Sequence, residues 1–159
     1  MKKFELTSET KINIFGKKLF RIKALISFGV VKTGETGGWV EKEENVNQSG
    51  NAWVFDNAEV SGNAEVSGDA RVSGDAEVFG NAEVSGNADY TTIHGFGTQF
   101  RTTTFFRCKN KQVKVSCGCF YGTIPEFREQ VKNTRKGKIA EEYLMIADLM
   151  EKHFAEEAK

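Results

Sequence analysis

The chain has 159 residues, 39% of them hydrophobic and 28% charged, and a formal net charge of zero. That is enough apolar material for one compact unit with a real core, and it excludes a chain too polar to fold. The neutrality is a cancellation: residues 1–40 carry +5, residues 41–90 carry −9 and residues 91–159 carry +4, and charge segregated in this way selects partners.

No apolar stretch approaches the roughly 20 residues needed to span a bilayer. The lysines of Met1–Lys11 are followed by no apolar run of the secretory kind. Cys108, Cys117 and Cys119 sit close together and leave one thiol unpaired, which suits reduced cysteines better than a disulfide framework. A cytoplasmic protein without membrane association is expected.

In chain order, Lys3–Ile14 and Lys18–Ile26 alternate apolar and polar residues around Phe15-Gly16-Lys17, the pattern of a β-hairpin. Gly34–Gly38 reads as a loop, and residues 1–38 as an N-terminal hairpin cap with its lead-in. A repeat follows. Val54, Val60, Val66, Val72, Val78 and Val84 recur every six residues, with Tyr90 in the next slot and an alanine two residues before each. Ala and Val at this spacing point to one face of an extended segment, and the residue between them points out. The Ser-Gly-Asn or Ser-Gly-Asp that follows is turn chemistry.

A three-residue strand cannot bury an inward face alone, so the hexads must stack. Three corners close a triangular coil of 18 residues, with Val60 against Val78, Val66 against Val84, and Val54 against Val72 and Tyr90. Val40 and Val46 extend the period backwards across a two-residue insertion near Gln48–Ser49. Residues 39–95 are therefore expected to form a β-solenoid of about three coils, running from Val40 to about His94.

Residues 96–159 read as a C-terminal module. After the Gly-rich "TTIHGFGTQF", Arg101–Arg107 and Gln112–Phe120 form a hairpin that turns near Asn110. Thr123 caps a helix over Ile124–Asn133, with Pro125 and Glu126 in its first turn. A second helix spans Lys138–Phe154, with Ile139, Tyr143, Ile146, Met150 and Phe154 at helical spacing.

The phrase Val-Ser-Gly-Asn/Asp-Ala-x resembles the hexapeptide repeat of left-handed β-helix proteins. That resemblance implies a mainly β fold: a short left-handed parallel β-helix with an N-terminal hairpin cap and a C-terminal α+β module. The wider arrangement, "GGWVEKEENV", "GNAWVFDNAEVSGNAEV" and "CGCFYGTIPEFREQVKNT", is similar to hexapeptide-repeat proteins encoded by phages and prophages. It implies a viral or mobile-element setting and transfers no activity.

Hexapeptide-repeat proteins also include trimeric acyltransferases, in which a histidine base deprotonates the acceptor. His94 is the candidate for that role here, but the acyltransferase pattern offers many more coils to hold the carrier arm, and long loops that this sequence lacks. The three cysteines with His94 could supply metal ligands, yet Cys-Gly-Cys is not the usual zinc knuckle, and small thiols in a hairpin core explain them better. No catalytic residue, metal or cofactor is assigned.

The outward slots of the repeat hold Glu59, Glu65, Arg71, Glu77 and Glu83, and its corners hold Asp69 and Asp75. Stacking sets Glu59 against Glu77 and Glu65 against Glu83 at about 4.8 Å. Over three coils, about 14 Å, the net −9 of the segment compares with roughly eight charges on the same length of duplex DNA. The expectation is a non-enzymatic binding protein and nucleic-acid mimic. It would engage the basic groove of a host nucleic-acid-handling protein and inhibit a defence nuclease in the manner of an anti-CRISPR protein. Trp53, Phe55 and Phe79 would anchor the contact. The alternatives are a structural protein assembling into dimers or trimers, and direct nucleic-acid binding by the C-terminal module through Phe100, Phe105 and Phe106 near Arg101 and Arg107.

Overall fold

The computed structural model of the chain describes residues 2–155. Three strands come first: β1 (Phe4–Ile12), β2 (Lys18–Ala24) and β3 (Thr36–Val40). Six two-residue strands follow: β4 (Trp53–Val54), β5 (Glu59–Val60), β6 (Glu65–Val66), β7 (Arg71–Val72), β8 (Glu77–Val78) and β9 (Glu83–Val84). Next come β10 (Tyr90–Phe96), β11 (Arg101–Arg107), β12 (Val113–Cys117) and β13 (Phe120–Thr123), then the helices α1 (Ile124–Thr134) and α2 (Gly137–Phe154).

These strands form separate open sheets. One has five strands in the order β1-β2-β3-β5-β8, one has four in the order β10-β11-β12-β13, and β4-β7 and β6-β9 are pairs. The chain is mainly β, but the expected three-coil left-handed β-helix is corrected: no sheet closes, and each parallel pairing between strands runs over only two residue pairs. The physical reasons lie at both ends of the repeat. The N-terminal hairpin joins the edge of β3 by antiparallel pairing, which turns one parallel column into part of a mixed sheet. At the other end Tyr90 leaves the period. It pairs with Phe106 in an antiparallel sheet, and its hydroxyl donates to the Arg71 carbonyl while its ring packs, half-buried, against the repeat core.

Within the repeat the local chemistry is regular. Val60 pairs with Val78, Val66 with Val84 and Val54 with Val72, all in parallel register. These valines, and the alanines Ala58, Ala64, Ala70, Ala76 and Ala82, are buried in one cluster. Each corner closes with an N–H···O=C bond across a Ser-Gly-Asn/Asp-Ala or equivalent turn, as from Ala64 to Ser61. The glycine at the second position of the corners between β5 and β9 sits at positive φ, between 62° and 67° for Gly62, Gly68, Gly74 and Gly80, which L-residues resist. Asp56 takes the same place in the one corner without glycine, at φ 55°, a conformation that Asp tolerates better than most residues.

The insertion near Gln48 has a structural use. The Gln48 side-chain oxygen accepts from the N–H groups of Lys3 (2.7 Å) and Phe4 (3.2 Å), tying the start of β1 to the repeat. Asn45, fully buried, does the same work one turn earlier: its amide donates to the carbonyls of Gly62 and Ala64.

The four-stranded sheet is packed on both faces. Phe105 and Phe106 are adjacent on β11 and both fully buried. Side chains alternate along a strand, so Phe106 joins the repeat core while Phe105 joins the core beneath α1 and α2. Thr123 caps α1 as expected, with Glu126 returning the bond to the Thr123 N–H at 2.8 Å. Two strands were not legible in the sequence: β10, hidden in the Gly-rich passage, and β13. Cys117 and Cys119 do not share a strand face, because β12 ends at Cys117 and Gly118 (φ 60°) turns the chain into β13.

Candidate partner-binding faces

The repeat sends its outward side chains along three parallel columns, and their surroundings differ. In the first, Glu59 pairs with Glu77 between β5 and β8. Lys11 reaches Glu59 at 2.8 Å and also lies over the Trp39 ring, 4.7 Å from its centroid. Glu77 is half-buried beneath β11 and β12: its N–H donates to Thr104 Oγ1 (3.1 Å) and its carboxylate accepts from Ser116 Oγ (3.3 Å). Burial, with the neighbouring Glu59 charge added, pushes the Glu77 carboxyl above its ordinary range.

In the second column Glu65 pairs with Glu83 between β6 and β9, and both are exposed. Lys109 is the cation in salt-bridge range of Glu65, at 3.5 Å, and among the described residues none lies in that range of Glu83. The two line an open groove of about 540 Å³ together with Glu43 and Glu44. Glu43 is paired with Lys2 at 2.8 Å. Neither Glu43 nor Glu44 was singled out from sequence, although the backward extension of the period through Val40 and Val46 put them at a corner.

In the third column Trp53 pairs with Arg71. Trp53 is not an exposed anchor: it is 1% exposed and packs edge-on against Phe4 (5.7 Å) and Phe28 (5.2 Å) under the N-terminal hairpin. Phe55 is half-buried against the same core. Phe79 is half-buried in an aromatic group with Phe15 (5.0 Å), Tyr121 (4.6 Å) and Phe106 (5.8 Å). These aromatics dock the flanking elements, since large apolar rings gain most where they are removed from water. Asp69 and Asp75 are exposed at corners, with Asp69 accepting from Asn51 Nδ2 at 3.2 Å.

The DNA-like charge of the whole segment is thus reduced. Lys2, Lys11 and Arg107 neutralise Glu43, Glu59 and Asp89, and Glu77 is covered. Burial works against ionisation of Asp89, but hydrogen bonds from Ser85 and Arg107 outweigh it and hold its carboxyl below the usual range. The carboxylates outside salt-bridge range of a cation among the described residues include Glu44 and Glu83 in the groove and Asp56, Asp69 and Asp75 at exposed corners, while Lys109 stands 3.5 Å from Glu65.

His94 is exposed on β10, and its Nδ1 lies 2.9 Å from Thr102 Oγ1. Among the described residues no three His, Cys, Asp or Glu side chains converge as a metal would require. Cys108 is buried, Cys117 half-buried and Cys119 exposed, all as free thiols, and burial pushes the Cys108 thiol up. The nucleic-acid reading of the C-terminal module is corrected for two of its three aromatics. Phe105 and Phe106 are buried, which leaves Phe100 exposed at 67%. Arg107 is committed to Asp89 and to the Phe154 carbonyl. Among the described residues no helix is long and apolar enough to cross a membrane.

Set against known proteins, the chain matches no family model and no curated protein.

Proposed function

We propose that this is a non-enzymatic binding protein of the bacterial cytoplasm whose acidic groove engages a basic surface of a partner protein. The observation that carries the reading is the register of Glu65 on Glu83, both exposed, in a groove shared with Glu43 and Glu44. Like charges set side by side in a sheet are destabilising by roughly 0.2–1 kcal/mol per pair. A cationic partner relieves that repulsion and gains the attraction that steers association.

A surface built to hold nucleic acid has the complementary chemistry, being basic and shaped for closely spaced negative charge. The partner class is therefore a nucleic-acid-handling protein. With the phage or prophage setting that the repeat resemblance implies, the protein acts as an inhibitor of a defence nuclease.

The test is DNA cleavage by an RNA-guided nuclease with and without the protein, over a salt titration. Wild-type protein should inhibit, and inhibition should weaken as salt rises. Glu65→Lys with Glu83→Lys should raise the concentration for half-inhibition at least about tenfold while the fold stays intact. Equal inhibition by the folded double variant, or insensitivity to salt, overturns the electrostatic mechanism.

A further inference from the structure

The outer edge of β10 is unpaired. The sheet order ends at β10, and none of the described hydrogen bonds satisfies the N–H and C=O groups of Thr91–His94 on the side away from β11. Exposed edges are usually guarded by charge, proline or bulges. β1, the other long edge, has such guards: Glu5, Glu9 and Lys11 lie along it, and its register breaks between Leu6 and Thr10. From Tyr90 to His94, β10 carries no Asp, Glu, Lys, Arg or Pro and keeps unbroken register with β11; its irregularity comes only after His94.

A second, independent feature lies beside it. Helix α2 packs over β10, while α1 lies over β12 and β13. Arg128 of α1 pairs with Asp148 (2.9 Å) and Glu151 (2.6 Å), which fixes the flank of α2 that faces α1. Tyr143, Ile146, Ala147, Met150 and Phe154 are buried toward the sheet. At 100° per residue the flank away from α1, on the β10 side, carries Leu149 between Glu142 and His153, with Met145 beside Leu149 and turned further toward solvent; the two apolar side chains, Leu149 and Met145, are exposed at 56% and 70%. Met145 is the most exposed large apolar side chain among the described residues, and Leu149 follows it by one helical turn.

We infer that β10 pairs antiparallel with β10 of a second copy of this chain, so that two four-stranded sheets become one of eight strands. A two-fold axis normal to the sheet makes that pairing and leaves both α2 helices on the same face. It therefore brings the Met145–Leu149 flanks of the two copies together above the new strand pair. One operation satisfies the main-chain edge and covers the apolar flank. That self-complementarity is what an isologous interface requires, and it favours a second copy over an unrelated strand, which would leave Met145 and Leu149 exposed. The uncharged edge brings no like charges together on pairing. The acidic groove lies on the repeat, apart from this edge, so a dimer would present two grooves.

Sedimentation of the full chain under reducing conditions tests this, with Cys119→Ser in the background to remove disulfide-linked pairs. A dimer is expected. Thr92→Lys on the exposed edge and Leu149→Lys on the helix flank should each weaken association about fivefold or more, with circular dichroism unchanged. Amide exchange of Thr91–His94 should slow as protein concentration rises. A monomer at roughly 100 μM, in the affinity range of a weak interface, overturns the inference. So does a dimer that Thr92→Lys leaves intact, including one that Leu149→Lys alone disrupts, because the helices would then associate without the strands.

Discussion

The Glu59–Glu77 and Glu65–Glu83 pairs are the same chemistry in the same parallel register, yet they have opposite fates. Lys11 neutralises the first pair from β1, and β11 and β12 roof it over. The second faces a groove, with Lys109 at 3.5 Å from Glu65 as its nearest relief. What differs is not the repeat but what the flanks lay over it. On the covered side an ionisable group has become part of the packing, and its charge is a cost. On the open side the charge remains available to a partner.

Open does not mean loosely built, and the corners separate the two senses. Gly68, which follows β6 on the open column, sits at φ 62°, and an added Cβ would meet the Ser85 carbonyl oxygen of the next corner well inside van der Waals contact. Gly74 has nearly the same φ, 65°, but empty space around the same position. Gly74→Ala should therefore cost only the left-handed strain, about 1 kcal/mol. Gly68→Ala adds a backbone displacement, for a total of about 3 kcal/mol. Urea unfolding of the two variants measures the difference. Equal losses would mean that the stacked corners are not tightly seated.

Lys3 is the covered side's second buried ionisable group. It is 1% exposed, its Nζ donates to the Ala52 carbonyl at 2.8 Å, and it lies 4.6 Å from the Phe28 ring centroid. Burial lowers its pKa to about 8 from 10.5. Between those values the unfolded chain holds a proton that the folded chain has released, so stability rises with pH through that window. Cys108 opposes this: its folded pKa is raised, so its contribution falls as pH climbs past 9. The clean interval is thus pH 8 to 9. Thermal melts should show stability increasing there in the wild type and a flatter profile in Lys3→Met. A wild-type profile without that rise would show Lys3 to be solvated.

The period of six was legible because Val and Ala recur without exception over Ala52–Val84, and their burial follows directly from alternation. The architecture was not legible. Whether stacked hexads continue into a closed coil is decided by the residues at the ends of the repeat, where there is no period to read. Tyr90 satisfies the pattern and keeps contact with the repeat core, but its backbone pairs antiparallel with Phe106 instead of continuing the parallel column. Trp53 fills an outward slot by its position in the hexad, and only the docking of β1 and β2 against that column shows it to be interior. Phe105-Phe106 reads as an alternation error until the sheet is seen to have two covered faces. Of the acidic groove, Glu65 and Glu83 followed from the repeat. Glu43 and Glu44 needed the turn at Glu43–Asn45, whose geometry Asn45 fixes through contacts more than 15 residues away.

The finest test of the comparison is the same substitution made on both pairs. Glu77→Gln removes a charge whose folded-state pKa is raised by burial and by Glu59, and its amide can still accept from Ser116. Because the folded chain retains a proton there that the unfolded chain has lost, the carboxylate's contribution falls as pH rises from 4.5 toward that raised value. The variant should therefore be more stable than wild type at neutral pH, by roughly 0.5 kcal/mol or about 2 °C, and the gap should close on acidification. Glu83→Gln relieves the repulsion from Glu65 on the open side, where solvent screens it, so its melting temperature should rise by no more than about 1 °C, while inhibition weakens because the groove has lost a charge. If instead Glu77→Gln changes only binding and Glu83→Gln only stability, the assignment of covered and open sides is reversed, and the partner meets the molecule on the face beneath β11 and β12.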